Sequence, residues 1–176
     1  FRSNQRYCAS IGGLQEAMAE ERILEGWGIR VSADHRDLLV DLGGIQGVIP
    51  HSEGALGMED GSTRDIALIT RVGKPVCFVV IGFEPQPDGS LRPILSRRRA
   101  QQHCREEYLN TRIAGDIIDA RVTHLEPFGC FVDIGCGIAS LLPIDAISVS
   151  RIAHPADRFR VGEEIRVVVR GRDDKG

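Results

Sequence analysis

The sequence predicts a mostly β chain of two tandem five-stranded barrels, with a short N-terminal helix and a helical connector between the barrels. The first observation is an internal repeat, in which Val40-Asp41-Leu42-Gly43 matches Val132-Asp133-Ile134-Gly135. Further matches follow in the same order, namely Ile45 to Pro50 with Ile138 to Pro143, and Arg71-Val72-Gly73 with Arg160-Val161-Gly162. The second observation is that both copies consist of short alternating apolar runs separated by turn residues, which is typical of β-barrels.

An N-terminal segment, residues 1–21, precedes the first copy. Its first twelve residues look irregular, but Leu14, Ala17 and Met18 have helical spacing and predict a helix over about 13–21. The first domain, residues 22–96, predicts strands near 22–32, 37–42, 45–50, 75–83 and 91–96. Five short strands with a long excursion between the third and fourth are typical of a Greek-key barrel of the OB-fold type.

The second domain repeats this plan after a connector at residues 97–114, where good helix formers predict a helix over 97–112 with exposed arginines. Residues 115–176 predict strands near 116–125, 129–134, 138–143 and 163–172. A fifth strand would have to follow Gly176 and is missing from the chain. Because a barrel without it would expose two strand edges, we expect the parent protein to continue, and the start at Phe1 also indicates a trimmed fragment.

Composition excludes several functional classes. With 42% hydrophobic and 27% charged residues, the chain is typical of a globular protein, and no apolar run is long enough to cross a membrane. No secretory signal is visible, so we expect a cytoplasmic protein. We also expect it to be monomeric. The five cysteines include no CxxC pair and are expected to be reduced thiols, so neither a metal site nor a cofactor is predicted. No catalytic motif is present, so an enzyme is not predicted.

One stretch, Phe128 to Gly135, predicts a surface for stacking. In a strand, successive side chains alternate between faces, so if Cys130 and Val132 point into a core, Phe131 points towards solvent. An exposed phenyl ring needs a reason in a chain with only six phenylalanines. Unpaired nucleic-acid bases stack on such rings, so this strand is a candidate binding surface.

Charge is distributed unevenly. The net charge of −3 is not the bulk signature of a nucleic-acid binder. Positive charge is concentrated in the connector, and we expect Arg97 and Arg98 to contact phosphate. The alternative is that these arginines form salt bridges with Glu106, Glu107 or a carboxylate of a barrel.

The anchors of the second copy resemble the S1 RNA-binding domain. They are Gly115-Asp116-Ile117, Phe128 to Asp133, Leu141-Leu142-Pro143, and Val161-Gly162 leading into Val167-Val168-Val169. The resemblance implies that Phe128 and Phe131 stack on RNA bases, that Asp173 joins the site, and that the face is formed by strands two and three. Many family members have a histidine at the end of strand three, where this chain has Pro143. That contact is therefore lost.

The first copy departs further from the pattern. It has Arg36 and Leu39 where the second copy has Phe128 and Phe131, so the stacking pair is absent. Trp27 aligns with Arg121 on the outward face of strand one and could supply one ring, with Gly26 and Gly28 leaving room for close approach. Arg121, near the phenylalanines, is a candidate phosphate contact. In the first copy, Arg36 and Trp27 are the candidate RNA-binding residues.

These observations favour a non-catalytic protein that binds single-stranded RNA, linked to translation, messenger RNA or the small ribosomal subunit. One alternative is a module that docks on a ribosomal or other protein partner, which the more acidic first copy fits better. Another is an accessory RNA-binding region of a larger RNA-processing enzyme.

Overall fold

The computed structural model describes residues 2–148 and 150–172, and contacts divide the chain into two compact units, Phe1–His103 and Cys104–Gly176. The helices of the first unit are α1 (Arg2–Cys8), α2 (Ile11–Ala19), α3 (Ile66–Ile69) and α4 (Arg97–His103), with a 3-10 turn at His51–Glu53. Its strands are β1 (Leu24–Val31), β2 (Leu38–Asp41), β3 (Gln46–Ile49), β4 (Pro75–Pro85) and β5 (Leu91–Ser96). In the second unit, a π-helix at Cys104–Leu109 precedes β6 (Ile117–Glu126), β7 (Gly129–Asp133), β8 (Ala139–Pro143) and β9 (Glu164–Val168), with 3-10 turns at Ile144–Ala146 and Pro155–Asp157.

The first unit is a closed barrel with strand order β1-β2-β3-β5-β4, as expected for an OB-like domain. β3 and β5 pair in parallel, and the other neighbours pair antiparallel. Apolar side chains from every strand fill its interior, and Phe78, Leu38 and Leu95 are fully buried. The five strands predicted for this part of the chain are therefore confirmed.

Two helices, rather than an irregular segment and one helix, lie at the N-terminus. Ser10 caps α2 by accepting a hydrogen bond from the Gly13 amide at 3.0 Å. Leu14 and Ala17, on one face of α2, are completely buried in the barrel core. The prediction that residues 1–12 are irregular is wrong, because α1 also contributes the buried Tyr7 and Cys8 to that core.

In the second unit, the described residues form a four-stranded antiparallel sheet with the order β8-β7-β6-β9. Its core consists of Ala120, Val122, Cys130 and Val132, with Leu142, Ile165 and Val167 among the partly buried side chains around them. The four predicted strands are present. Residues 173–176, after which the missing fifth strand is expected, lie outside the described residues.

Both units contain the same irregularity in their first strand. The pairing of β1 with β2 shifts between Gly28 and Arg30, and the pairing of β6 with β7 shifts between Val122 and His124. Each shift is a β-bulge, in which one strand has a surplus residue. Ile29 and Thr123 are the surplus residues.

Candidate nucleic-acid interface

Strand β7 presents alternate side chains to the core and to the outward face of the sheet. Cys130 is 0% exposed and Val132 is 2% exposed, which confirms that both point inwards. Phe131 therefore lies on the opposite face, where it is half-buried. On that face it lies opposite Leu141 of β8, a residue that is itself exposed.

Phe128 lies immediately before β7 and is 55% exposed. Its ring meets that of Phe131 edge to face, with centroids 6.3 Å apart and planes at 87°. Gly129 makes this arrangement possible, because a Cβ atom there would lie 2.4 Å from the Leu142 carbonyl oxygen of β8. The glycine of the Phe-Gly pair therefore serves the close approach of two strands.

His124 adds a third ring that the sequence does not predict. The bulge in β6 places His124 opposite Phe131, and the two rings stack with centroids 6.4 Å apart and planes at 30°. We call His124, Phe128 and Phe131 the ring cluster, with Phe131 at its centre. Sequence alignment missed His124 because nothing in the pattern marks the surplus Thr123 that sets this pairing.

Charged groups around the ring cluster are largely paired. Arg121 of β6 donates to Glu164 of β9 at 2.8 Å, and His124 Nε2 lies 2.7 Å from Glu126 Oε1. Asp133 accepts hydrogen bonds from the amides of Gly135 and Gly137, at 2.8 and 3.1 Å. The outward face therefore combines its rings with charged groups that are already hydrogen-bonded within the protein.

In the first unit, an ion network involves one of the residues that replace the phenylalanines. Arg36 forms an ion pair with Asp65, and His51 Nε2 lies 2.7 Å from the same carboxyl group. Hydrogen bonds from His51 and then Arg36 hold the pKa of Asp65 below its ordinary value. Leu39, at the Phe131 position, is only 8% exposed. Where the second unit has two phenylalanine rings, the first unit has an arginine that is ion-paired and a leucine that is buried, so no ring is available there for stacking.

Trp27 lies on the outward face of β1 and is 51% exposed, as expected from its alignment. Its neighbouring glycines, however, leave room for the protein itself. A Cβ at Gly26 would lie 2.7 Å from Val40 Cγ1, and one at Gly28 would lie 2.1 Å from the Arg71 carbonyl oxygen. The expectation that these glycines admit a ligand is wrong.

The first arginines of the connector belong to the first unit. Arg97 is only 5% exposed and donates to the carbonyl oxygens of Gly54 and Ala67. Arg98 forms a salt bridge with Glu53. The expectation that the connector arginines are exposed is therefore wrong for Arg97, because α4 packs on the barrel with Arg97, Ala100 and Gln101 facing inwards. For Arg98, the alternative of a salt bridge to a barrel carboxylate is confirmed.

Three further expectations concern Asp173, metal binding and membrane spans. Asp173 lies outside the described residues. Across residues 2–148 and 150–172, no group of three His, Cys, Asp or Glu side chains is arranged to hold a metal ion. Within the same ranges, no helix combines the length and hydrophobicity needed to cross a membrane.

Residues 112–176, which include the ring cluster, match the family model of the S1 RNA binding domain. Over these residues the chain is similar to the S1 RNA-binding domain family. The recognition of the S1 pattern from Phe128 to Asp133 and its flanking anchors is thereby confirmed.

Relatives extend the similarity beyond the S1 domain. The chain is 33% identical over 136 residues to the small ribosomal subunit protein bS1 homolog of Bacillus subtilis, covering 75% of this chain and 33% of that protein. It is 28% identical over 165 residues to the small ribosomal subunit protein bS1 of Staphylococcus aureus, covering 91% of this chain and 39% of that protein. The chain thus spans between one third and two fifths of the length of these two relatives.

A solved structure also matches. It is a multidomain protein with nucleic acid binding domains from Streptococcus pneumoniae, with 16% sequence identity and a TM-score of 0.27. The match covers 87% of this chain and 42% of that chain.

Proposed function

We propose that this chain binds single-stranded RNA without catalysing a reaction, and that the ring cluster of its S1 domain is the contact surface. The observation that carries this proposal is the pair of phenylalanines meeting edge to face, with Phe128 more than half exposed. An exposed ring costs hydrophobic stabilisation unless a ligand covers it, and every base can stack on it. Recognition through stacking is tolerant of sequence.

The paired charges around the rings determine how RNA is held. Arg121 is already bonded to Glu164, and His124 is bonded to Glu126, so few cations are available for phosphate. Affinity of a single S1 domain is consequently low and depends weakly on salt. Several domains in one protein would offset this through avidity.

The names of the relatives support an association with the small ribosomal subunit, since both are small ribosomal subunit proteins bS1 or a homolog. We place the protein in the cytoplasm, as a monomer acting on messenger or ribosomal RNA during translation. The tandem arrangement of two OB-type domains belongs to the same proposal, supported by the closed barrel of the first unit and the S1 match of the second.

Direct binding measurements test the proposal. Affinity for an unstructured oligouridine would be compared for the unchanged chain, the double variant Phe128→Ala/Phe131→Ala, and the control Ile117→Ala. Ile117 is 63% exposed on β6 and is paired with Val168, well away from the rings along the strand. We expect the double variant to lose binding and the control to keep it. Equal affinities in all three would contradict the proposal.

A second candidate function is docking of the first unit on a protein partner. It is favoured by five exposed apolar side chains on and near β1 and α3, namely Trp27, Ile29, Ile66, Ile69 and Val72. Complex formation with purified ribosomal proteins, lost when Ile66 and Ile69 are changed to serine, would support docking. RNA binding that depends on Trp27 would support an RNA contact there instead.

A further inference from the structure

His124 is held in one orientation by two contacts of different kinds. Its ring stacks against Phe131, and its Nε2 atom lies 2.7 Å from Glu126 Oε1 on the same strand. The side chain is nevertheless 61% exposed. Within the described part of the chain, the second ring nitrogen, Nδ1, has no hydrogen-bond partner.

The chemistry of imidazole decides what Nδ1 can bind. A carboxylate oxygen only accepts, so Nε2 must carry the proton that it donates to Glu126. In the neutral ring, Nδ1 is then unprotonated and can only accept a hydrogen bond. Phosphate oxygens also only accept, so neutral His124 has nothing to offer them. A second proton converts Nδ1 into a donor and gives the ring a positive charge.

We propose that His124 is an RNA contact of the S1 domain that binds phosphate only as the imidazolium, so that RNA binding takes up a proton. This inference rests on the proposed binding of RNA by the ring cluster. A base stacked on Phe131 or Phe128 would bring its own phosphate near the neighbouring exposed imidazole. Glu126 is bonded to Nε2, which leaves Nδ1 available for the phosphate.

The other charged groups on the elements that pack against β6 are already bonded or distant. Asp133 of β7 accepts from two turn amides, and Glu164 of β9 is paired with Arg121. Arg166 of β9 lies opposite Asp119, further along β6. Asp157, in the 3-10 turn that packs on β6, accepts from the His154 amide at 3.3 Å. Among described residues, Glu126 is the charged group bonded to His124.

The test measures oligouridine affinity across the pH range in which histidine titrates, about pH 5.5 to 7.5. Uracil does not change protonation there, so the RNA itself contributes no pH dependence. We expect the chain to bind about 3- to 10-fold more tightly at the acidic end, since uptake of one proton changes affinity at most tenfold per pH unit. The variant His124→Gln should bind with the neutral-pH affinity throughout. The matched control His154→Gln, which removes an exposed histidine of the same unit, should keep the dependence.

A second measurement follows the imidazole itself. At a fixed pH within that range, adding oligouridine should move the NMR signals of the His124 ring towards those of the doubly protonated ring, because binding takes up a proton. A pH dependence that persists in His124→Gln, or His124 ring signals that RNA does not move, would overturn the inference. Binding that needs Phe128 and Phe131 but ignores pH would overturn it while leaving the proposed function intact. No binding at any pH would overturn both.

Discussion

Arg98 and Glu53 form a two-point salt bridge, in which Nη2 donates to Oε1 at 3.0 Å and Nε donates to Oε2 at 3.2 Å. The Ser96 hydroxyl donates to the same carboxylate. Burial raises the pKa of Glu53, but the hydrogen bonds from Arg98 and Ser96 outweigh it and hold the pKa below the ordinary value. This contact fixes α4 against the 3-10 turn that follows β3.

Removal of this salt bridge should lower stability without weakening RNA binding. Arg98→Gln leaves the partly buried Glu53 without its cation, and we expect a loss of about 1–3 kcal/mol in the free energy of unfolding. Chemical denaturation and oligouridine binding would be measured on the same samples. Arg99→Gln removes the same charge from an exposed position and is the matched control. Weaker RNA binding in Arg98→Gln at full stability would restore Arg98 as a phosphate contact.

The same salt bridge predicts how stability responds to acid. Because the pKa of Glu53 is lowered on folding, its contribution is present above the pKa of the unfolded chain and is lost as the pH falls through the folded pKa. Glu53→Gln cannot show this change. The difference in free energy of unfolding between the two proteins should therefore be largest near neutrality and shrink in acid. A constant difference would show that Glu53 is not shifted.

A methyl group at Gly129 should separate β7 from β8. The added Cβ would lie 2.4 Å from the Leu142 carbonyl oxygen, a backbone atom that cannot move without the strand. We expect Gly129→Ala to cost about 1–3 kcal/mol of stability in the second unit. Gly171→Ala, where no heavy atom lies within 4 Å of the new Cβ, is the control and should be nearly neutral. Thermal unfolding would measure both.

Glu164 should restrain Arg121 from binding phosphate. The pair is exposed, so breaking it should change stability by less than about 1 kcal/mol. Glu164→Gln removes this ion pair, and we expect about twofold to fivefold tighter RNA binding with one more phosphate contact in the salt dependence. Arg121→Gln should have the opposite effect. Identical salt slopes in the two variants would exclude Arg121 from the interface.

Trp27 is the only tryptophan, so its fluorescence reports on the first unit alone. Because this unit has the covered Leu39 in place of an open ring, we expect RNA to quench the fluorescence only partly. Trp27→Ala should reduce affinity less than Phe131→Ala, for which stacking energies give about 1–3 kcal/mol. A larger effect at Trp27 would make the first unit the main RNA-binding unit.

Much of the fold follows from periodicity. Alternation along β7 assigned Cys130 and Val132 to the core and Phe131 to the other face, and the structure agrees. The prediction of an irregular N-terminus is wrong because Tyr7 and Cys8 are buried only through tertiary packing of α1. Such packing leaves no periodic signal in a helix of seven residues.

The candidate site was predictable only in part. The phenylalanines could be found because they sit at a recognisable spacing around a glycine. The burial of Arg97 could not be predicted. Three consecutive arginines on a helix point about 100° apart, and composition does not say which one faces the barrel. His124 depends on the unmarked bulge in β6.

The bulge occurs at the matching place in both units, with Arg30 opposite Leu39 in one and His124 opposite Phe131 in the other. The backbone irregularity is thus shared, while the side chains it presents have diverged. Under the proposed RNA-binding role, the second unit must keep its three rings in contact, whereas the matching position of the first unit is constrained by packing alone. Among related proteins, we expect substitutions at Leu39 to preserve side-chain volume, and substitutions at His124 and Phe131 to occur together.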